Sequence, residues 1–226
     1  MRLDRLVGKW AGTGKRRTRE FFKNGEVLLN GERAERGGLV IGKFDRVELA
    51  GEVVQDRRPR YVMLHKPRGV VSATLDEEHV TVTDLVDQEW AGELHLAGRL
   101  DRYTSGLVIL TNDSAYSESL TAPEQKVGKR YLVGLDGVMG EEVISGLQAG
   151  MWFAKEQVMT EPALLDLLSP QECRLTIYEG KHHQIKRMFA RYDLRVTQLH
   201  REAIGTQELP SDLGPGEWRE FHPESS

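Results

Sequence analysis

One carboxylate in the sequence stands where an enzyme could place a catalytic group. Asp101 lies in a polar segment that begins at Gly98, and the apolar run 106–110 follows at once. Aspartate is disfavoured inside a strand, but it suits a loop that a rigid strand holds in place. Such a residue can bond its own backbone in a turn, or it can act as a nucleophile or a base. The segment taken alone leaves both interpretations open.

Three further segments carry groups that could work with this carboxylate. They are residues 129–131, which end in Tyr131, residues 179–188, which contain Lys186, and residues 66–69. Taken alone, Tyr131 is typical of a half-buried strand residue and Lys186 of a solvated helix position. Together with Asp101 they would supply a phenol for proton transfer and a cation that keeps a carboxylate ionised.

The elements that must position these groups follow each other without a regular βαβ rhythm. Apolar runs predict strands at residues 61–65, 106–110, 130–135, 163–168, 174–178 and 194–199. Helical spacing and capping residues predict helices at residues 81–90, 114–120, 141–148 and 182–192. No Gly-x-Gly-x-x-Gly motif follows a strand. The pattern predicts an α+β fold with a mixed, mostly antiparallel sheet flanked by helices.

Residues 1–55 are predicted to form a separate small unit. Amphipathic spacing predicts a first helix from residue 2, and a second helix over residues 18–23 that ends at Asn24 and Gly25. A strand, an Asn-Gly turn and a closing strand at residues 47–49 follow. The polar residues 56–60 are predicted to be a linker, and residues 61–226 a larger unit.

Charge is divided unevenly between these two parts of the chain. Residues 1–58 contain 14 Lys and Arg against 9 Asp and Glu, whereas residues 59–226 contain 17 against 26. A basic unit indicates a polyanionic partner, although a charged helix can also be a merely solvated face. The cations nearest the second predicted helix, and the candidates for contact with such a partner, are Lys15, Arg16, Arg17 and Arg19.

Composition excludes several classes of protein. Hydrophobic residues make up 39% of the chain and charged residues 29%, and no apolar run approaches the roughly 18 residues of a membrane helix. The single cysteine, Cys173, excludes an internal disulfide and a cysteine-rich zinc site. His182 and His183 would point apart on a helix, and His200 is the one plausible third ligand, so we expect no metal. Without a signal-type segment we expect a cytoplasmic protein.

The motifs resemble those of a known enzyme family. Gly-Arg-Leu-Asp at 98–101 followed by Thr-Ser-Gly-Leu at 104–107 is similar to the signature of the pseudouridine synthases. Lys-Arg-Tyr at 129–131 and His-Gln-Ile-Lys at 183–186 follow in the family order, and the resemblance runs from about residue 60 to residue 219. The order of elements in residues 1–55 resembles the RNA-binding domain of the ribosomal protein S-four type. The whole pattern is similar to the branch that modifies ribosomal small-subunit RNA.

The resemblance implies a role for each of three residues. Asp101 would be the essential nucleophile or base, Lys186 the cation beside it, and Tyr131 a flat face for the uracil and a late proton acceptor. Conversion of uridine to pseudouridine neither adds nor removes atoms, so no cofactor is expected. The base must leave its stack at a cost of a few kcal/mol, which contacts with phosphates would offset. The candidates for those contacts are Lys66, Arg99, Arg102, Arg130 and Arg187.

The resemblance also implies a substrate, which is uridine 516 of 16S rRNA, either naked or in a small-subunit assembly intermediate. We expect a monomer without membrane attachment. One alternative is the same chemistry on 23S rRNA, with different recognition by residues 1–55. The other alternative is a non-catalytic assembly factor that binds rRNA, for which Asp101→Asn would leave function intact.

Overall fold

The protein was analysed as a computed structural model that describes residues 1–223. The chain divides into two compact units, Met1–Pro59 and a larger unit that begins at Arg60. The division therefore falls within the polar segment 56–60. No helix among the described residues is long and apolar enough to cross a membrane.

The small unit packs two helices on a four-stranded sheet. The helices are α1 (Leu3–Trp10) and α2 (Lys15–Asn24). The sheet has the order β2-β1-β3-β4, with strands β1 (Val27–Leu29), β2 (Glu32–Arg33), β3 (Val47–Leu49) and β4 (Glu52–Gln55). Gly25 ends α2 as predicted, because it adopts the left-handed conformation with φ +76°. Strand β4 was not predicted, and it completes the sheet by pairing with β3.

The larger unit is built on one nine-stranded sheet. Its strands are β5 (Tyr61–Lys66), β6 (His95–Leu96), β7 (Ser105–Thr111), β8 (Lys129–Leu135), β11 (Leu164–Ser169), β12 (Glu172–Ile177), β13 (Val196–Ile204), β14 (Gln207–Glu208) and β15 (Trp218–Glu220). A separate two-stranded hairpin consists of β9 (Trp152–Phe153) and β10 (Val158–Met159). The helices are α3 (Ser114–Thr121), α4 (Glu141–Ala149) and α5 (Gln184–Ala190).

The main path through the sheet runs β11-β12-β8-β13-β7-β5-β15. Strands β13 and β7 pair in parallel, and the other strand pairs along this path are antiparallel. One core cluster contains Val133 and Leu175 of the sheet with side chains of α4 and α5, and a second contains Ile109 with Leu120 of α3. Helices therefore cover both faces, and the predicted α+β fold with a mixed, mostly antiparallel sheet is confirmed.

Strand β7 is the rigid element behind the Asp101 loop. Its four central residues, 107–110, are fully buried, with alternate side chains in the two core clusters. Burial of an aliphatic side chain contributes about 1.5–3 kcal/mol, so this strand is held firmly on both faces. At its start, Gly106 has φ +111°, and a Cβ there would lie 2.3 Å from the carbonyl oxygen of Arg201. The parallel pairing of β7 with β13 therefore requires glycine at this position.

Two predicted helices differ from the structure. Residues 81–90 form turns, although Thr81 and Asp84 exchange the two reciprocal hydrogen bonds of a capping box. The backbone bonds that follow span three residues, from the N–H of Val86 to Thr83 and from that of Ala91 to Gln88, so the α-helical pattern is not propagated. The helix expected over residues 182–192 is α5, which begins only at Gln184 and ends at Ala190. The last predicted strand, at residues 194–199, corresponds to β13, which begins at Val196 and ends at Ile204.

His200, which lies in the sheet beside His65, is expected to make the stability of the protein depend on pH. His200 Nδ1 lies 2.9 Å from Ser105 Oγ, and its ring centroid is 5.3 Å from that of His65. Burial lowers the pKa of His200, and His65 acts in the same direction. The unfolded chain then binds more protons near and below pH ~6.5, so we expect the free energy of unfolding to fall as the pH drops through that value.

Urea unfolding at pH 7.5 and pH 5.5 measures this effect. A His200→Asn variant keeps a polar side chain but cannot be protonated, so it should lose less stability on acidification than the unmodified protein. An equal loss in both proteins would show that His200 is not the group responsible.

Candidate active site

A cavity of about 580 Å³ in the larger unit brings the predicted catalytic residues together. Asp101, Tyr131 and Lys186 all line it. The walls come mainly from three segments of chain, which lie around residues 71–76, 99–104 and 180–186. Residues far apart in sequence therefore meet at one concave surface, whose volume is typical of a small-molecule or nucleoside site.

Asp101 has two nitrogen-bearing side chains on one of its carboxylate oxygens. Lys186 Nζ donates a hydrogen bond to Oδ2 at 2.7 Å, and His183 Nε2 lies 3.4 Å from the same oxygen. Both Asp101 and Lys186 are partly exposed toward the cavity. A cation at this distance stabilises the charged form of a carboxylate. No hydrogen bond or ion pair within residues 1–223 engages Oδ1, which leaves that oxygen available to a substrate.

Lys66 was predicted to be a surface cation that contacts phosphate, but in the structure its side chain is buried. Its side chain is 0% exposed, and Nζ donates to the carbonyl oxygens of Pro67 at 2.9 Å, Arg102 at 3.0 Å and Thr104 at 2.8 Å. An ammonium group has three donors, and all three are used here. The prediction that Lys66 contacts phosphate is wrong, since a buried side chain cannot reach RNA. Lys66 instead ties the segment that follows Asp101 to the end of β5.

Two opposing effects act on the pKa of the Lys66 ammonium group. Burial lowers its pKa to about 8, whereas the negative charge of Asp101 works in the opposite direction. Because pH 7 lies below this value, the ammonium form persists at neutral pH. The three carbonyl bonds therefore remain charge-assisted.

A second buried cation, Arg201, supports the same loop and was given no role from the sequence. Arg201 Nε donates to the carbonyl oxygen of Leu107 at 2.8 Å, and Nη1 donates to that of Arg99 at 3.3 Å. Lys66 and Arg201 therefore fix the backbone before and after Asp101. The sequence signal was weak, because β13 mixes polar and apolar residues and nothing local marks Arg201 as a buried arginine that must find partners.

Tyr131 lies where the sequence placed it, on a strand beside the cavity. It occupies β8, opposite Leu175 of β12 and Arg201 of β13, and its side chain is buried. Two flanking strands hold its backbone, so the ring is positioned by the sheet rather than by a mobile loop. This gives the cavity an aromatic wall.

The structure separates the other cations proposed for phosphate contact into two that line the cavity and two that are paired with carboxylates. Arg99 and Arg102 are exposed and line the cavity, and Arg102 Nε donates to the carbonyl oxygen of Gly69. Arg187 does not line it, because its guanidinium is engaged in a two-pronged ion pair with Glu156 at 2.8 Å. The predicted contact of Arg187 with phosphate is therefore not supported, and Arg130 is likewise paired, with acidic residues of β13 and β14.

The adjacent residues His182 and His183 do not point apart on a helix as expected. Both precede α5, and their rings stack with centroids 3.8 Å apart. His183 has φ +50°, a left-handed conformation that is uncommon outside glycine and that brings its ring against Asp101. Backbone geometry, which the helical pattern did not reveal, therefore sets this part of the cavity wall.

The small unit presents the predicted basic residues on its surface. Lys15, Arg16, Arg17 and Arg19 all belong to α2, and all four are exposed. Arg17 is partly neutralised by an ion pair with Glu20 at 2.8 Å. A groove of about 960 Å³ beside α1 and α2 is lined by Arg5, Lys9, Lys15, Arg19 and Lys23.

Comparisons with known proteins agree with this site. A model of the RNA pseudouridylate synthase family matches residues 60–191, a stretch that contains Asp101, Tyr131 and Lys186. The chain belongs to this family. Family membership makes it a pseudouridine synthase.

Similarity to individual pseudouridine synthases extends over almost the whole chain. Ribosomal small subunit pseudouridine synthase A of Pseudomonas aeruginosa is 39% identical, over 99% of this chain and 98% of that protein. The protein of the same name from Escherichia coli strain K12 is 37% identical, over 97% and 95%. A crystal structure of a pseudouridylate synthase superposes with a TM-score of 0.71 at 34% identity, and covers 98% of this chain and 96% of its own.

Proposed function

We propose that this protein converts a uridine of small-subunit ribosomal RNA into pseudouridine, with Asp101 as the essential carboxylate. The observation that carries the proposal is the 2.7 Å contact between Lys186 and Asp101 at the wall of a cavity that also contains Tyr131. The names of the relatives that match along nearly the full chain support the substrate class. The specific target that we propose is uridine 516 of 16S rRNA.

In this reaction, one carboxylate must start the cleavage of the bond between the ribose and the base nitrogen. The uracil then turns within the cavity and is joined to the ribose through carbon, and a proton leaves that carbon while another reaches the freed nitrogen. Lys186 donates a hydrogen bond to Oδ2 of Asp101 and so holds the carboxylate in one orientation. No hydrogen bond or ion pair among the described residues engages Oδ1 of Asp101, so this oxygen is the one we assign to the substrate.

Tyr131 has two roles in this proposal. Its ring offers a face on which the extruded uracil can stack, because every base has a π surface. Its phenol supplies a proton acceptor near the carbon that loses its proton. The position of Tyr131 on a strand between two neighbours limits its movement, which favours a defined orientation of the base.

RNA is held outside the cavity by cations in both units. Arg99 and Arg102 stand at the cavity and can contact the phosphates beside the target uridine. In the small unit, which we propose to be an RNA-binding domain of the ribosomal protein S-four type, the basic groove offers a sequence-independent contact with the backbone.

Tritium release tests the proposed function. The unmodified protein is incubated with 16S and 23S rRNA labelled with tritium at uracil carbon-5, as naked RNA and as assembly intermediates, and the modified position is then mapped. Release from 16S rRNA at one uridine supports the proposal. Release from 23S rRNA alone would move the activity to the other ribosomal RNA, and no release from any substrate would refute the enzymatic function.

The basic groove of the small unit gives a separate prediction about salt. Lys15→Gln combined with Arg19→Gln should weaken RNA binding and flatten its dependence on salt, since each lost phosphate contact lowers the slope of log K against log salt by about 0.7–0.9. Binding measured between low and physiological salt gives this slope. The matched control combines Lys126→Gln with Arg195→Gln, two exposed cations of the larger unit that are paired with acidic residues. If both double variants behave alike, the groove does not bind RNA.

A further inference from the structure

The hairpin formed by β9 and β10 carries an exposed apolar pair. Trp152 lies opposite Met159 in the register of the two strands, and the two side chains are 49% and 61% exposed. A tryptophan side chain that stays half exposed contributes little to the free energy of folding, because the free energy of burial depends on the area removed from water. The pair therefore needs an explanation outside the core of the larger unit.

The hairpin is fastened to the helix that presents Lys186 to Asp101. Phe153, the neighbour of Trp152, is 2% exposed and lies under the guanidinium of Arg187, 3.9 Å from ring centroid to carbon. Arg187 also holds Glu156 of the hairpin turn by two hydrogen bonds of 2.8 Å. Arg191 donates a hydrogen bond to the carbonyl oxygen of Trp152. The hairpin is thus a fixed extension of α5 rather than a free loop.

This extension is continuous with the wall of the cavity. Arg187 Nη1 reaches the carbonyl oxygen of His182 at 3.3 Å, and His182 lines the cavity. Lys186, one residue before Arg187, bonds Asp101. A chain of direct contacts therefore leads from the hairpin to the proposed target site.

The charge around the hairpin favours a nucleic acid over a protein. Lys155 and Arg191 are exposed, Arg191 bonds the backbone of Trp152, and the carboxylate of Glu156 in the hairpin turn is already paired with Arg187. Lysine is depleted at the centre of protein interfaces, whereas a polyanionic partner attracts it. An aromatic side chain flanked by cations is instead the arrangement that stacks bases and contacts the phosphates between them.

We propose that Trp152 stacks on a nucleotide base of single-stranded RNA next to the target uridine, and that Lys155 contacts the adjoining phosphate. The inference rests on the proposed function. It adds to the site a contact that neither the cavity nor the basic groove supplies. The surface would hold the RNA beside the extruded uridine without taking part in the chemical step.

Trp152→Ala tests this inference in the full-length protein. The probe is a 16S rRNA fragment that contains the mapped uridine. Base stacking on an aromatic side chain is strong enough that its loss should weaken binding about tenfold. Because the contact is made equally in the ground state and the transition state, KM should rise by a similar factor while kcat stays unchanged. Trp152→Phe keeps an aromatic face and should recover most of the affinity.

The control is Leu167→Ala on β11. Leu167 is 48% exposed, so this substitution also removes exposed apolar area, as Trp152→Ala does. Its affinity for the fragment should equal that of the unmodified protein. The unmodified protein is assayed first, so that absence of activity there refutes the proposed function itself. With an active protein, unchanged affinity of Trp152→Ala overturns the inference. It is also overturned if Trp152→Ala alters self-association in sedimentation but not RNA binding, or if Trp152→Phe binds no better than Trp152→Ala.

Discussion

Asp101→Asn is expected to reduce pseudouridine formation by at least about a thousandfold, while the protein stays folded and still binds RNA. The amide has nearly the shape of the carboxylate, so the loop should keep its conformation. It carries no negative charge, however, and it can neither attack carbon nor accept a proton as the carboxylate does. The amide also removes the charged partner of Lys186, whose bond to Oδ2 is 2.7 Å long.

Single-turnover tritium release measures this loss, and urea unfolding and RNA binding show whether the variant is intact. Asp76→Asn is the matched control, because Asp76 lines the same cavity but bonds its own turn at residues 78 and 79. The control should retain activity close to that of the unmodified protein. Activity of Asp101→Asn above a few per cent would mean that another group starts the reaction.

Lys66→Met is expected to damage both stability and activity, although the side chain never touches the substrate. Methionine fills much of the same volume but donates no hydrogen bonds, so the carbonyl groups of Pro67 and Thr104 lose this donor, while that of Arg102 still accepts from the N–H of Gly69. Each buried acceptor left unsatisfied costs roughly 1–3 kcal/mol, and relief of the buried charge offsets part of the total. We expect a loss of about 3 kcal/mol in the free energy of unfolding and at least a tenfold fall in kcat.

Lys186→Met provides the contrast to this variant. Lys186 is partly exposed and has one carboxylate partner, so its loss should lower kcat strongly and change the stability by less than about 1 kcal/mol. Urea unfolding and tritium release on both variants separate the two lysines. If Lys66→Met proves as stable as Lys186→Met, Lys66 does not hold the Asp101 loop in the way its three bonds indicate.

Sequence reasoning succeeded where a short segment determines its own structure. The apolar run at residues 106–110 specified the buried strand β7, and Asp113 caps α3 as expected, with hydrogen bonds from the backbone of residues 115 and 116. The motifs also identified Asp101, Tyr131 and Lys186 as a group, and the structure places all three at one cavity. Their catalytic roles remain predictions for the variants above to test.

Sequence reasoning failed where a residue's environment comes from distant parts of the chain. The residues next to Lys66 in the sequence do not indicate that carbonyl groups 36 and 38 residues away enclose its ammonium group. In the same way, the residues next to Arg187 do not indicate its ion pair with Glu156. The same limit applies to residues 81–90, where helical spacing and a capping-box pair, Thr81 and Asp84, are followed by turns and not by a helix. Type and spacing indicate which groups can do chemistry, but burial determines which of them can reach a substrate.

The pairing of β15 with β5 brings the beginning and the end of the larger unit side by side. Trp218 lies opposite Leu64, and the N–H of Phe221 donates to the carbonyl oxygen of Tyr61 at 2.9 Å. Chains whose ends meet in this way tolerate circular permutation and fusion at either end. An accessory RNA-binding unit could therefore be joined to this catalytic unit before its first strand or after its last one, and gene fusion could exchange such units without rebuilding the sheet.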